Sequence, residues 1–208
     1  LARSPEFVDG AINTVVLTGQ SVAIGLTIGL LVAIGRVHGQ RWMNVVGGSY
    51  VELFRNTPLL VQVFLFFFGL PYIGFRFTAD TAAVVAISFN LGAYSAEIFR
   101  AGLLAIPRAQ IEAGLALGMS LIQVIRHVVV VPALRIIFPA LTGQLTLTLL
   151  GSSIVSAISA KELTSVTQKI ESLTFRSLET FIVALVIYIG LTFLFRTVYW
   201  LIGLWLFR

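Results

Sequence analysis

Five stretches of the chain stay apolar over the roughly 20 residues that a helix needs to cross the hydrocarbon core of a bilayer. They run from about Gly10 to Gly35, Val45 to Leu70, Thr81 to Leu104, Pro132 to Ser159 and Thr180 to Leu206. Glu52, Arg55 and Pro58 interrupt the second, and the third carries Asn90, Glu97 and Arg100. Between them lie a short polar turn from Arg36 to Arg41, a loop from Pro71 to Asp80, an amphipathic connection from Ile106 to Val131, and a polar segment from Lys161 to Glu179. The pattern predicts an all-α integral membrane fold of five transmembrane helices in a single domain over residues 1–208. No clear internal repeat is visible, which counts against an inverted-repeat secondary transporter.

Composition fits this reading. Apolar residues make up 58% of the chain and charged residues 11%, against about 25% charged in a typical soluble domain. Too few charges remain to cover a globule, so much of the surface faces lipid. Cysteine is absent, which excludes disulfides, thiolate metal sites and thiol nucleophiles. His38 and His127 stand far apart with arginines nearby, so no metal site is expected.

The net charge of +5 comes from scattered basic residues rather than a run, and nucleic acid is not an expected partner. A positive-inside bias explains the excess. With the turn at Arg36 in the cytoplasm, that side holds Arg36, Arg41, Arg55, Arg100, Arg108, Arg126, Arg135, Arg196 and Arg208. The other side holds Arg3, Arg76, Lys161, Lys169 and Arg176 with most of the carboxylates. This places the amino terminus outside and the carboxyl terminus in the cytoplasm. Tyr199, Trp200 and Trp205 fit an aromatic belt at the inner end of the fifth helix. The chain opens on Leu1, and no charged segment precedes a short apolar core, so no cleavable signal peptide is expected.

The connection after the third span reads Pro107-Arg-Ala-Gln-Ile-Glu112-Ala113-Gly114-Leu-Ala-Leu117-Gly118-Met-Ser120 and continues to Val131–Pro132. Pro107 suits a first helical turn, Gly118 a left-handed helix end, and Ser120 the cap of a following helix. A short helix, a sharp turn and a second helix are predicted, lying in the cytoplasm.

This segment resembles the EAA loop of bacterial type I ABC import permeases, with Glu112-Ala113-Gly114, Gly118 and Val131–Pro132 in the characteristic places. Gly114 stands where alanine is usual, and Val131 where leucine or isoleucine is commoner. Tyr50-Val-Glu-Leu-Phe-Arg55-Asn-Thr57-Pro58-Leu-Leu-Val-Gln62 and Ala93-Tyr94-Ser-Ala-Glu97-Ile-Phe-Arg100-Ala-Gly102 resemble the second- and third-helix signatures of polar amino acid permeases. The resemblance covers the chain from about Ala11 onward. It implies a type I ABC importer permease fold in a bacterial inner membrane, with a cytoplasmic coupling loop. Glu112, Ala113, Gly114, Leu117 and Gly118 would then contact a separate ABC ATPase subunit, itself a dimer. It also implies a second permease chain, identical or related, and a periplasmic substrate-binding protein. ATP and magnesium would sit on the ATPase, and no cofactor on this chain.

Polar side chains inside a span are costly unless they face a cavity or a partner. Gln144, Thr148, Ser152 and Ser156 recur every four residues on the fourth helix, one slowly drifting face, and Ser153 widens it. Asn90, Tyr94 and Glu97 share a face of the third helix, and Gln62 follows the Pro58 break. Asn90, Tyr94, Gln62, Gln144, Thr148, Ser152, Ser153 and Ser156 are therefore candidates for a substrate pathway. Serine and threonine also serve plain helix packing. Glu97 with Arg100, and Glu52 with Arg55, read instead as ion pairs near the inner end. Gly25-Leu-Thr-Ile-Gly29 is a small-residue packing motif.

In the amino acid permeases a Lys-Asp pair often precedes two hydroxyl residues of the fourth helix. Here Leu150–Gly151 precede Ser152–Ser153, so a cationic amino acid is not expected as sole substrate. Lys161 and Lys169 are the only lysines and neither follows glycine, so no phosphate-cradling Gly-Lys-Ser/Thr loop exists. No catalytic set appears, and the chain is expected not to be an enzyme. Rival readings are a related permease for methionine, opines or cystine, a self-sufficient channel or ion-driven transporter, and a structural membrane anchor.

Overall fold

The structure, a computed structural model, describes residues 4–207. Arg3 and Arg208, which the charge reading assigns to opposite sides, lie outside the described residues. The helices are α1 (Ser4–His38), α2 (Arg41–Arg55), α3 (Leu59–Ile73), α4 (Ala79–Leu104), α5 (Arg108–Ala116), α6 (Leu121–Ile158), α7 (Leu163–Thr174) and α8 (Ser177–Leu206).

Four of these, α1, α4, α6 and α8, are long and apolar enough to cross a membrane. The fifth span is the pair α2 and α3, bent by 106° at its break. It is not the single helix that its apolar run from Val45 to Leu70 invites. Pro58 carries no N–H and pushes Thr57 away from helical geometry, and its own ψ of 138° is extended. The buried Gln62 side chain stitches the break. Its Nε2 donates to the carbonyl oxygens of Phe54 at 2.9 Å and Thr57 at 3.1 Å, and to Thr57 Oγ1 at 2.8 Å.

The tightest packing is between α1 and α4, and it is made of small residues. Gly25 lies against Leu91, and a methyl group at Gly29 would collide with Ser95. Ser88 reaches toward the Ser21 carbonyl and Ser95 toward that of Gly25. These pairs ascend together, so α1 and α4 run parallel, and the broken pair between them carries the chain back across. Ala82, Ala83 and Ala86 of α4 complete a core with Leu17, Val63 and Val155.

The helix predicted after Ser120 and the fourth span are one continuous rod, α6. It starts α-helical at Leu121–Gln123, widens to π-type turns over Val124–Val130, is α-helical over Val131–Gly151, and tightens to a 3₁₀ coil over Ser152–Ile158. Pro132 removes one backbone donor, and the widened turns before it absorb that without ending the helix.

The polar segment after α6 is itself helical and tied down. Glu162 caps α7, accepting from the N–H groups of Thr164 at 2.7 Å and Ser165 at 2.6 Å, and from the Tyr188 hydroxyl at 2.9 Å. The Leu163 N–H donates to Thr14 of α1, and the Lys161 N–H to Asp80 of α4. Glu162 is fully buried, and burial pushes its carboxyl above the ordinary range, against the pull of its donors.

Charges gather at the two ends as the sequence groups them. Arg36 and Arg100 both donate to Glu97, and Arg135 reaches the Phe207 carbonyl, at the end that carries α5. Asp80 with Lys161, and Glu6 with Lys169 at 3.7 Å, lie at the other.

Candidate functional site: a polar cavity and an exposed hairpin

A cavity of about 230 Å³ opens between α4 and α6, lined by Asn90, Tyr94, Gln144 and Thr148 with Ile87 and Leu147. Four of the eight residues expected to line a pathway therefore meet in one place, brought from two helices. A fifth, Gln62, stands behind them, its Oε1 accepting from Asn90 Nδ2 at 3.0 Å. One carboxamide thus locks the helix break and orients the other toward the cavity. Thr148 commits its hydroxyl hydrogen to the Gln144 carbonyl at 2.9 Å, so its oxygen can only accept there. The lining offers amide and hydroxyl groups and no carboxylate.

Ser152, Ser153 and Ser156 do not join this lining. The four-residue spacing that aligns them with Gln144 holds only in an α-helix, and the 3₁₀ coil turns every three residues. Ser152 is buried and donates to the Leu149 carbonyl, Ser153 donates to that of Leu150, and Ser156 accepts from Gln168 of α7 at 3.5 Å.

Glu97, on the same sequence face as Asn90, takes the ion-pair role instead. Its Oε2 accepts from Arg100 Nε at 3.0 Å and Nη2 at 2.7 Å, and its other oxygen from Arg36, a partner the sequence did not reveal. The expected Glu52–Arg55 pair is replaced. Glu52 accepts from Asn56 at 2.7 Å, and the Arg55 guanidinium lies 5.4 Å from the centre of the Tyr94 ring, at the cavity edge.

The hairpin forms as its turn residues dictate. Pro107 sits one position before α5 rather than inside its first turn. Gly118 adopts φ +80°, which glycine enters at no steric cost. Ser120 and Gln123 then make a reciprocal capping box at the start of α6. Glu112, Ala113, Leu117 and Gly118 are exposed, Leu117 to 84%. Gly114, expected on the same contact surface, is buried within the hairpin, where an added methyl would lie 3.1 Å from Val124 Cγ2. Leu121 and Ile122, which the motif did not single out, extend the exposed apolar surface at 62% and 77%.

Residues 25–206 match the family described as the binding-protein-dependent transport system inner membrane component. The chain belongs to this family.

Among the proteins similar to this chain is the glutamine transport system permease protein GlnP of Escherichia coli strain K12. It is 38% identical over 190 residues, covering 90% of this chain and 87% of that protein. The octopine transport system permease protein OccM of Rhizobium meliloti is 34% identical over 198 residues, covering 89% and 80%. In the crystal structure of an amino acid ABC transporter with histidines, one chain superposes with a TM-score of 0.87 at 37% identity. That match covers 97% of this chain and 94% of the other. The inward-facing methionine transporter MetNI, at 22% identity and a TM-score of 0.82, shares the fold. The type I ABC permease fold is thus the architecture of this chain.

Proposed function

We propose that this chain is the membrane subunit of an ATP-driven importer of polar amino acids, working by alternating access. One observation carries the reading: a single helix, α6, begins at the exposed hairpin and runs unbroken to Gln144 and Thr148 in the cavity. From Leu121 to Gln144 this is about 35 Å at ~1.5 Å per residue. A push on the hairpin is therefore carried to the cavity wall along one continuous helix rather than through a flexible loop, although Pro132 and Pro139 each remove one backbone hydrogen bond on the way.

On this reading the hairpin faces the cytoplasm, the amino terminus lies outside, and Glu112, Ala113, Leu117 and Gly118 meet a separate ATPase dimer. ATP and magnesium bind on that partner and this chain performs no catalysis. A periplasmic binding protein delivers the amino acid, and a second permease chain, identical or related, closes the open side of the cavity. The carboxamides of Asn90 and Gln144 can pair with an uncharged polar side chain or with the substrate's ammonium and carboxylate. Without a carboxylate in the lining, a cationic side chain has no counter-ion there. The similarity to a glutamine permease supports the same class; the similarity to an octopine permease supports an opine as the second reading.

The test is reconstitution with the ATPase and binding protein in liposomes. Uptake of glutamine that requires internal ATP is the expected result, with arginine and octopine transported less well. Uptake that persists without ATP would overturn the importer reading in favour of a channel.

A further inference from the structure

A second groove, of about 630 Å³, runs between α6 and α8 and shares only Leu147 with the Asn90 cavity. Thr142, Gly143 and Thr146 form its α6 side; Arg196, Tyr199 and Trp200 form its α8 side. Thr142 and Thr146 spend their hydroxyl hydrogens on the carbonyls of Pro139 and Thr142. The side-chain donors facing this groove therefore come from α8: a guanidinium, an indole N–H and a phenol.

Arg196 makes no ion pair among the described residues. It nonetheless sits in a helix whose most apolar stretch has a mean hydropathy of 2.3 and is only 11% buried. A cation on such a helix is costly unless an anion or water meets it. At 30 residues α8 is about 45 Å long, well beyond the ~30 Å hydrocarbon core. Arg196 lies ten residues, about 15 Å, before the carboxyl end of α8, so its long side chain can reach toward that end past Tyr199 and Trp200, residue types favoured at headgroup depth.

We propose that this groove binds an anionic phospholipid, its phosphate held by Arg196 with Tyr199 and Trp200 beside it. The acyl chains run along the exposed apolar face of α8, where Phe193 and Leu201 stand open. Gly143 keeps the floor of the groove clear, since nothing lies within 4 Å of a methyl group placed there. The inference does not depend on which solute is carried.

The test is native mass spectrometry of the purified transporter complex from nanodiscs holding equal phosphatidylglycerol and phosphatidylcholine. The intact protein should retain phosphatidylglycerol with a preference of roughly tenfold, the scale of one charge-assisted hydrogen bond. Arg196→Gln should abolish the preference, and Gly143→Leu should reduce retention of both lipids while leaving the charge in place. Equal retention of the two lipids by the intact protein would overturn the proposal, as would an unchanged preference in Arg196→Gln or undiminished retention in Gly143→Leu. Displacement by inorganic phosphate would assign the site to a free anion, and crosslinks from Gly143→Cys to a second permease chain would assign it to a subunit contact; either result ends the proposal.

Discussion

Asn90 and Gln62, 28 residues apart in the chain, meet side chain to side chain at 3.0 Å. Through that contact the break in the second span and the wall of the cavity become one structure. The Gln62 amide nitrogen serves three acceptors at the break, while its oxygen orients Asn90.

Removing the two ends of this bond therefore has different consequences. Gln62→Leu strands the carbonyls of Phe54 and Thr57 and should destabilise the complex by about 1–3 kcal/mol, seen as a lowered thermal midpoint. Asn90→Ala leaves the break intact, so stability should hold while the half-saturating concentration for uptake rises. Equal melting shifts in the two variants would contradict the assignment.

Glu97 holds two arginines from different helices. Glu97→Gln leaves Arg36, whose side chain is mostly buried, without its counter-charge, and should cost about 3 kcal/mol. A double variant with Arg36→Gln should lose less than the sum of the single losses. Strict additivity, measured by denaturant or thermal unfolding, would show that the pair is not coupled.

At Gly118, φ +80° admits glycine and penalises a branched side chain. Gly118→Val should cost about 1–2 kcal/mol locally and tilt the hairpin off its partner. ATPase turnover should then continue while uptake falls, a loss of coupling read by measuring both rates on one preparation.

Glu162 makes a pH prediction. Its carboxyl is raised in the folded chain above its ordinary value of 4.5 by burial. The folded state therefore holds the proton more tightly than the unfolded state, and this contribution to stability is complete below about 4.5. It is lost as pH rises through the higher folded value. Thermal stability should thus decline on that rise in the native protein, and Glu162→Gln should flatten the decline whatever its effect on absolute stability.

Much of the architecture was legible because bilayer thickness imposes a length that composition reveals directly. The hairpin was legible for a local reason: Gly118 and Ser120 mark a turn and a cap without reference to the rest of the molecule. Pro58 announced a break, but not that Gln62 would bridge it, since that bond depends on the bend itself. Ser152 and Ser156 misled because four-residue spacing assumes an α-helix, and the coil tightens after Gly151. Arg36 as a partner of Glu97, and Tyr188 as a partner of Glu162, join distant segments through packing that periodicity does not encode. Gly114 looked like part of the contact surface because a motif records which residues recur, not which way they face.

The most direct test uses the absence of native cysteine. Leu117→Cys, in isolated membranes that contain the whole transporter and are treated with a mild oxidant, is paired with single cysteines placed over the surface of the ATPase. A disulfide-linked permease–ATPase product is expected, with a yield that changes when ATP is added. No product at any ATPase position, with the new thiol labelled only from the periplasmic side, would contradict this.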